Sequence, residues 1–154
     1  MGKNKKEKKN KVLYFDDEPF VSEKLAQSLK LLGWDITFVS EINDVFEELY
    51  NNEYNIIILD IIAPIPEKKN DYVKFTHREI KRMDNKYNTG IVLAKKIWEI
   101  DNGRFKDKPI LFLSAKMSPD IQQFISEGKK CYCIRKPELA RIISSKIQEL
   151  IDNK

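Results

Sequence analysis

Asp16 and Asp17 stand together at the end of the apolar run Val12-Leu13-Tyr14-Phe15, and Asp60 closes the run Asn55-Ile56-Ile57-Ile58-Leu59. Ser114 ends Pro109-Ile110-Leu111-Phe112-Leu113, and Lys136-Pro137 follows the run from Cys131 to Arg135. Carboxylates gathered within a few ångströms cannot all ionise comfortably without a cation. Hard oxygen ligands with room for water suit Mg²⁺. A carboxylate beside such an ion is a nucleophile that can take a phosphoryl group as an aspartyl phosphate. A hydroxyl (Ser114) and an ammonium (Lys136) facing it can hold the phosphoryl oxygens. Taken singly, the acids read as helix caps and the lysine as surface. Polar residues closing four separate apolar runs do not suit that bland reading.

The runs that carry these residues alternate with helical patterns. After Glu18-Pro19, the residues Phe20, Val21, Leu25, Leu29 and Leu32 recur at helical spacing, and Gly33 stops the helix. Trp34 to Val39 reads as a second strand. Ser40 is a candidate cap for a helix bearing Val45, Phe46, Leu49 and Tyr50. The Asn55–Asp60 run is apolar on consecutive positions, as a strand covered on both faces requires. Gly90 opens a helix with Ile91, Leu93, Ala94, Ile97 and Trp98, ending near Asn102-Gly103. Ser118-Pro119-Asp120 starts another, and Pro137 a last one carrying Leu139, Ile142, Ile143, Ile147, Leu150 and Ile151.

This order is (βα)₅, an α/β fold with parallel strands joined by right-handed crossovers. The expected arrangement is the flavodoxin-like, doubly wound five-stranded sheet of order 2-1-3-4-5, with its site outside the carboxyl ends of the strands. Asp16, Asp17, Asp60, Ser114 and Lys136 should then share one rim.

Composition bounds the rest. The chain has 154 residues, about one domain, and a chain this long buries roughly 68–70% of its unfolded surface without needing a staple. Hydrophobic residues are 42% and charged residues 34%, which excludes collagenous and wholly disordered classes. No apolar run reaches the ~20 residues of a membrane span, and the basic N-terminus lacks the apolar region of a secretory signal. The chain reads as cytoplasmic. The net charge is +4, yet residues 1–11 alone carry six Lys and one Glu, +5, leaving −1 for the other 143 residues. Residues 1–10 are therefore read as a basic disordered tail, and no direct DNA binding is expected.

The set Asp16-Asp17, Asp60, Ser114 and Lys136-Pro137, in that order on those strands, resembles the signature of the response-regulator receiver domain of two-component signalling. The resemblance covers residues 11–152, interrupted by 64–89. It implies that Asp60 is the phosphoacceptor, that Asp17 binds Mg²⁺ directly with Asp16 assisting through water, and that the backbone carbonyl of Ile62 is a further ligand. It implies that Ser114 contacts the phosphoryl group, that Lys136 pairs with a phosphoryl oxygen, and that Pro137 follows through a cis peptide bond. It implies a histidine kinase or phosphotransfer protein as donor, a downstream protein that reads the switched face, and, in many relatives, a homodimer. It implies a domain that is not a conventional enzyme but catalyses its own phosphorylation and slow dephosphorylation.

Four departures stand against that pattern. Pro64 to Gly90 spans 26 positions, an insertion on the order of 20 residues in a loop beside the site, which is long for a compact domain. Its middle, Tyr72 to Met83, has a weak helical pattern. The position three before Lys136, usually aromatic in relatives, is Cys133, and Tyr132 is one place off, on the other face of the strand. Ile62 and Lys116 stand two after Asp60 and Ser114, and an apolar side chain over the phosphoryl group should hinder water. No output domain is expected after Lys136, where only one helix remains.

The other conspicuous residues read as packing or surface: His77 alone in the polar insertion, Trp34 and Trp98 in the core, Cys131 and Cys133 on one strand face. Two further readings stay open. One is a phosphate-independent pseudo-receiver that binds a partner through the same fold. The other is a phosphohydrolase using Asp60, which Ile62 opposes because such enzymes carry a second Asp there.

Overall fold

Five short parallel strands form one sheet in the order β2-β1-β3-β4-β5. The structure, a computed structural model, describes residues 10–60, 74–83, 89–115, 119–127, 130–136 and 138–152. The strands are β1 (Lys11–Phe15), β2 (Asp35–Val39), β3 (Ile56–Asp60), β4 (Ile110–Ser114) and β5 (Cys131–Arg135). The helices are α1 (Pro19–Leu31), α2 (Ile42–Asn51), α3 (His77–Met83), α4 (Thr89–Gly103), α5 (Pro119–Ser126) and α6 (Ala140–Asp152). The flavodoxin-like order read from the sequence is the order observed.

Strand alternation divides the core into two layers. Leu13, Phe15, Ile57, Leu59, Phe112 and Cys133 face the side covered by α2, α4 and α5. Val12, Tyr14, Ile58, Leu111, Leu113 and Ile134 face α1 and α6. Every residue of β3 and β4 is buried, which is why those runs carry no polar alternation until Asp60 and Ser114. Trp34 and Trp98 are packing residues, and each indole N–H is satisfied: Trp34 Nε1 donates to Ser144 Oγ at 2.7 Å and Trp98 Nε1 to the Lys108 carbonyl at 2.8 Å. Cys131 and Cys133 are both buried on the α2/α4/α5 side.

Several local expectations need correction. The N-cap of α2 is Glu41, not Ser40. The last helix starts at Ala140 instead of Pro137. Phe20 is 90% exposed and Leu32 46%: the buried side of α1 runs through Ser22, Ala26 and Leu29, at the 4-then-3 spacing of one helix face. In α4 the backbone leaves helical geometry at Ile100, and Asp101, Asn102 and Gly103 take φ of 52°, 57° and 81°. Asp and Asn are the non-glycine residues that best tolerate this left-handed region, so three such residues in a row can end the helix sharply.

The insertion is in part a folded annex. Of the weak Tyr72–Met83 helix, His77–Met83 is helical, while positions 72 and 73, like most of 64–89, lie outside the described residues. A capping box starts it: the Thr76 N–H donates to Glu79 Oε1 at 2.8 Å, and the Glu79 N–H donates to Thr76 Oγ1 at 3.1 Å. Seven residues are too few to hold a helix alone. Lys96 of α4 pairs with Glu79 at 2.7 Å, Phe75 meets Phe46 edge-on at 5.9 Å, and Met83 is buried. Packing on α2 and α4 therefore supplies what length does not. His77 lies exposed at the start of this helix.

Candidate functional site

Register places the acids. Phe15 of β1 pairs with Leu59 of β3, so the next residues, Asp16 and Asp60, leave the sheet at the same level on adjacent strands. Asp60 is level with Leu113, and Ser114 with Arg135. The Asp16 N–H donates to the Val39 carbonyl at 3.2 Å, which ties this corner to β2. On the other side the Lys136 N–H donates to the Ser114 carbonyl at 2.7 Å. Strand ends thus fix Asp16, Asp60, Ser114 and Lys136 on one rim.

Carboxylate oxygens of Asp16, Asp17 and Asp60 all lie within 4.8 Å of one another. Asp16 and Asp60 are buried and Asp17 is partly open to solvent. Lys136 Nζ sits 2.7 Å from Asp16 Oδ2 and 3.8 Å from Asp60 Oδ2. Asp16 Oδ2 also accepts a hydrogen bond from Ser22 Oγ, and Asp16 Oδ1 one from the Glu18 N–H at 2.9 Å. Burial alone would raise the Asp16 pKa, but the hydrogen bonds from Lys136, Ser22 and Glu18 outweigh it and hold the carboxyl below its ordinary value. Asp17 goes the other way. Partial burial and the charge of Asp16 raise it.

Three hard oxygen donors so close together fit a small divalent cation. The residues needed to hold one are the residues that crowd here. Lys136 spans two of the three and supplies part of the positive charge that the cluster requires.

Two residues that sequence reasoning did not single out belong to this site. Ser22 is buried and donates to Asp16. Tyr14, on β1, is fully buried. Burial, with the charges of Asp16 and Asp60, raises its phenol well above the ordinary 10.0. The Ser22 hydroxyl opposes part of that rise, yet no group among the described residues reaches Tyr14 Oη in hydrogen-bond geometry. A signal was present for both. Tyr14 puts a hydroxyl inside an otherwise apolar run, and Ser22 lies in helical register with Ala26 and Leu29.

The remaining sequence candidates divide. Ser114 is buried at the end of β4. Ile62, Lys116 and Pro137 lie outside the described residues. Cys133 is buried. Tyr132 points away, 42% exposed, with Lys146 Nζ 3.9 Å from its ring centroid.

No family profile matches the sequence, and no curated protein matches it closely. Solved structures do. A CheY-like response regulator receiver domain from Methanospirillum hungatei JF-1 superposes with a TM-score of 0.68 at 18% identity, covering 93% of this chain and 94% of its own. The chemotaxis response regulator CheY4 of Vibrio cholerae gives a TM-score of 0.64 at 18% identity, covering 91% and 97%. The receiver domain of a sensor histidine kinase from Pseudomonas aeruginosa PAO1, solved with a magnesium ion coordinated in its active-site cleft, gives 0.65 at 18% identity, covering 92% and 97%. The fold defined here is therefore that of response-regulator receiver domains. Among the described residues, no helix is long and apolar enough to cross a membrane.

Proposed function

We propose that this chain is a phosphorylatable receiver domain, spanning residues 11–152, that accepts a phosphoryl group on Asp60. The observation that carries this reading is the clustering of Asp16, Asp17 and Asp60 within 4.8 Å, with Lys136 bridging Asp16 and Asp60. The donor is a phosphohistidine of a histidine kinase or phosphotransfer protein. An oxygen of the Asp60 carboxylate forms the new O–P bond as the P–N bond of the donor breaks, and the electron pair leaves with the imidazole nitrogen.

Asp16, Asp17 and Asp60, with the carbonyl of Ile62, would hold Mg²⁺ in this reading, which would supply positive charge against the phosphoryl oxygens. The ammonium of Lys136 turns from Asp16 to a phosphoryl oxygen, and the Ser114 hydroxyl contacts the same group. The switched surface then binds a downstream protein in the cytoplasm. Ile62 slows hydrolysis, so the aspartyl phosphate outlasts many seconds.

The test is intact mass after incubation with Mg²⁺ and phosphoramidate. The expected gain is about 80 Da for one phosphoryl group, absent from Asp60→Asn. Timing the decay of that species checks the second claim, and a half-life of seconds contradicts it. One observation favours a second reading, a pseudo-receiver that binds its partner without phosphate. Tyr132 is held outward under Lys146, and buried Cys133 stands in the usual aromatic place. No mass gain together with no binding of beryllium fluoride would select that reading.

A further inference from the structure

The start of α1 grips Asp16 at two points. The N–H of Glu18, the cap residue, donates to Asp16 Oδ1 at 2.9 Å, and the Ser22 hydroxyl, one turn on, donates to Asp16 Oδ2. The Ser22 N–H in turn donates to the Glu18 carbonyl at 3.4 Å, so one helical turn sets both donors. Lys136 Nζ, beyond the end of β5, also donates to Oδ2, at 2.7 Å. A carboxylate offers about four acceptor sites. These three donors leave about one free for a cation while Lys136 is in place, and a second once it turns away. Ser22 then remains as the side-chain donor on Oδ2. Ser22 and Asp16 are both buried, so water cannot easily replace the serine, and a buried carboxylate oxygen without a donor is costly.

We propose that Ser22 is a positioning residue of the acid rim: its hydroxyl holds the Asp16 carboxylate in orientation while Lys136 exchanges Asp16 for a phosphoryl oxygen. The proposal rests on the receiver reading above, because the lysine moves only in that reading. Groups that orient a metal-binding side chain through hydrogen bonds tune metal affinity about 10- to 100-fold. Without the hydroxyl, Lys136 alone compensates the charge on that oxygen and is held there more tightly. A cation would then meet a carboxylate that is less fixed and a competitor that is more so. Both changes weaken cation binding.

The test is a Mg²⁺ titration of the whole chain, followed through the amide resonances of Asp16, Asp17 and Asp60 in heteronuclear NMR. Ser22→Ala should weaken Mg²⁺ binding roughly 10-fold. Ser22→Thr keeps the hydroxyl, and Ser22 borders a cavity of about 330 Å³ with room for the added methyl, so it should restore wild-type affinity. Ser28→Ala, which removes a hydroxyl that donates to the Lys24 carbonyl on the same helix, should leave Mg²⁺ binding unchanged. Should Ser22→Thr fail to fold, the contrast between Ser22→Ala and Ser28→Ala decides. A wild type without Mg²⁺-dependent shifts would overturn the receiver reading and this proposal with it. A wild type that binds Mg²⁺ no better than Ser22→Ala, or equal weakening in folded Ser22→Ala and Ser22→Thr, would overturn this proposal alone.

Discussion

The two faces of the sheet are built differently. The face under α2, α4 and α5 is rich in aromatic contacts: Phe112 meets Phe124 at 6.0 Å, Phe124 stacks on Trp98 at 5.8 Å, and the annex adds Phe75 against Phe46. The face under α1 and α6 is largely aliphatic, and it contains a cavity of about 330 Å³ together with the buried Tyr14 phenol and the hydrogen-bonded set of Ser22, Asp16 and Lys136. One face supplies cohesion and the other houses the charged groups with space beside them. This division has a physical reason. Large rings contribute strongly per residue to a packed layer, whereas buried charged groups are held by hydrogen bonds and ion pairs.

The largest expected effect tests the cohesive face. Phe112→Ala removes a fully buried ring and should cost about 3–5 kcal/mol, read from the urea midpoint. Leu139→Ala, on the exposed lip of the cavity, should change stability by less than about 0.5 kcal/mol. Similar costs for the two would erase the distinction between the faces.

Next in size is Lys136→Met. The lysine is about a quarter exposed and Asp16 is buried. Removing one partner leaves a buried carboxylate with less compensation, and the cost should be about 3 kcal/mol at neutral pH in chelator-treated buffer. The sign with pH follows from Asp16. Its folded pKa lies below the ordinary 3.8, so in the wild type its contribution is full above that value and is lost as pH falls through the folded value. In Lys136→Met, burial dominates and the depression is lost. The deficit should therefore be greatest near pH 7 and shrink as pH drops toward 3.8 and below. A deficit independent of pH would mean that the ion pair contributes nothing and the loss is one of packing.

A smaller effect separates the annex from both faces. Thr76→Ala removes one bond of the capping box and frees the reciprocal Glu79 carboxylate. It should cost about 1 kcal/mol, seen as faster hydrogen exchange at Ile80 to Met83. The global midpoint should move less, because α3 is held to the body by few contacts. Unchanged exchange would mean that Phe75, Met83 and Lys96 alone hold the helix.

How much of this was legible in the sequence follows the same physics. The strands were readable because β3 and β4 are covered on both faces, and apolar runs that short suit a covered strand better than a buried helix. The rim was readable because those runs each end in a polar residue that a parallel sheet must bring to one edge. Helix boundaries were less so: Ser40 has the chemistry of a cap, yet the chain turns at Glu41, and Pro137 precedes its helix by three residues. Phe20 carries an apolar side chain on a helix whose buried side passes through Ser22 instead, and spacing alone favoured the larger residue. The Ser22–Asp16 hydrogen bond and the unmet Tyr14 hydroxyl depend on which way side chains turn within the layer between α1 and the sheet. Periodicity says nothing of that.

The smallest expected effect, and the only one of opposite sign, comes from Tyr14→Phe. The substitution keeps the ring and its edge-on contact with Phe38 at 5.2 Å, while deleting a buried hydroxyl that has no hydrogen-bond partner among the described residues. Loss of an unsatisfied group should stabilise the fold by up to about 1 kcal/mol. The gain should also grow at high pH. The folded phenol is raised above the ordinary 10.0, first by burial and then by the nearby carboxylates. Wild-type stability is therefore fully present below pH 10 and declines above it, as the unfolded chain releases a proton that the folded chain keeps. The phenylalanine variant lacks that decline, so the difference between the two urea midpoints should widen from pH 8 to pH 10.5. A variant less stable than the wild type at pH 8 would show that the hydroxyl is satisfied in solution, with Ser22, whose hydroxyl already acts on the phenol, as its partner.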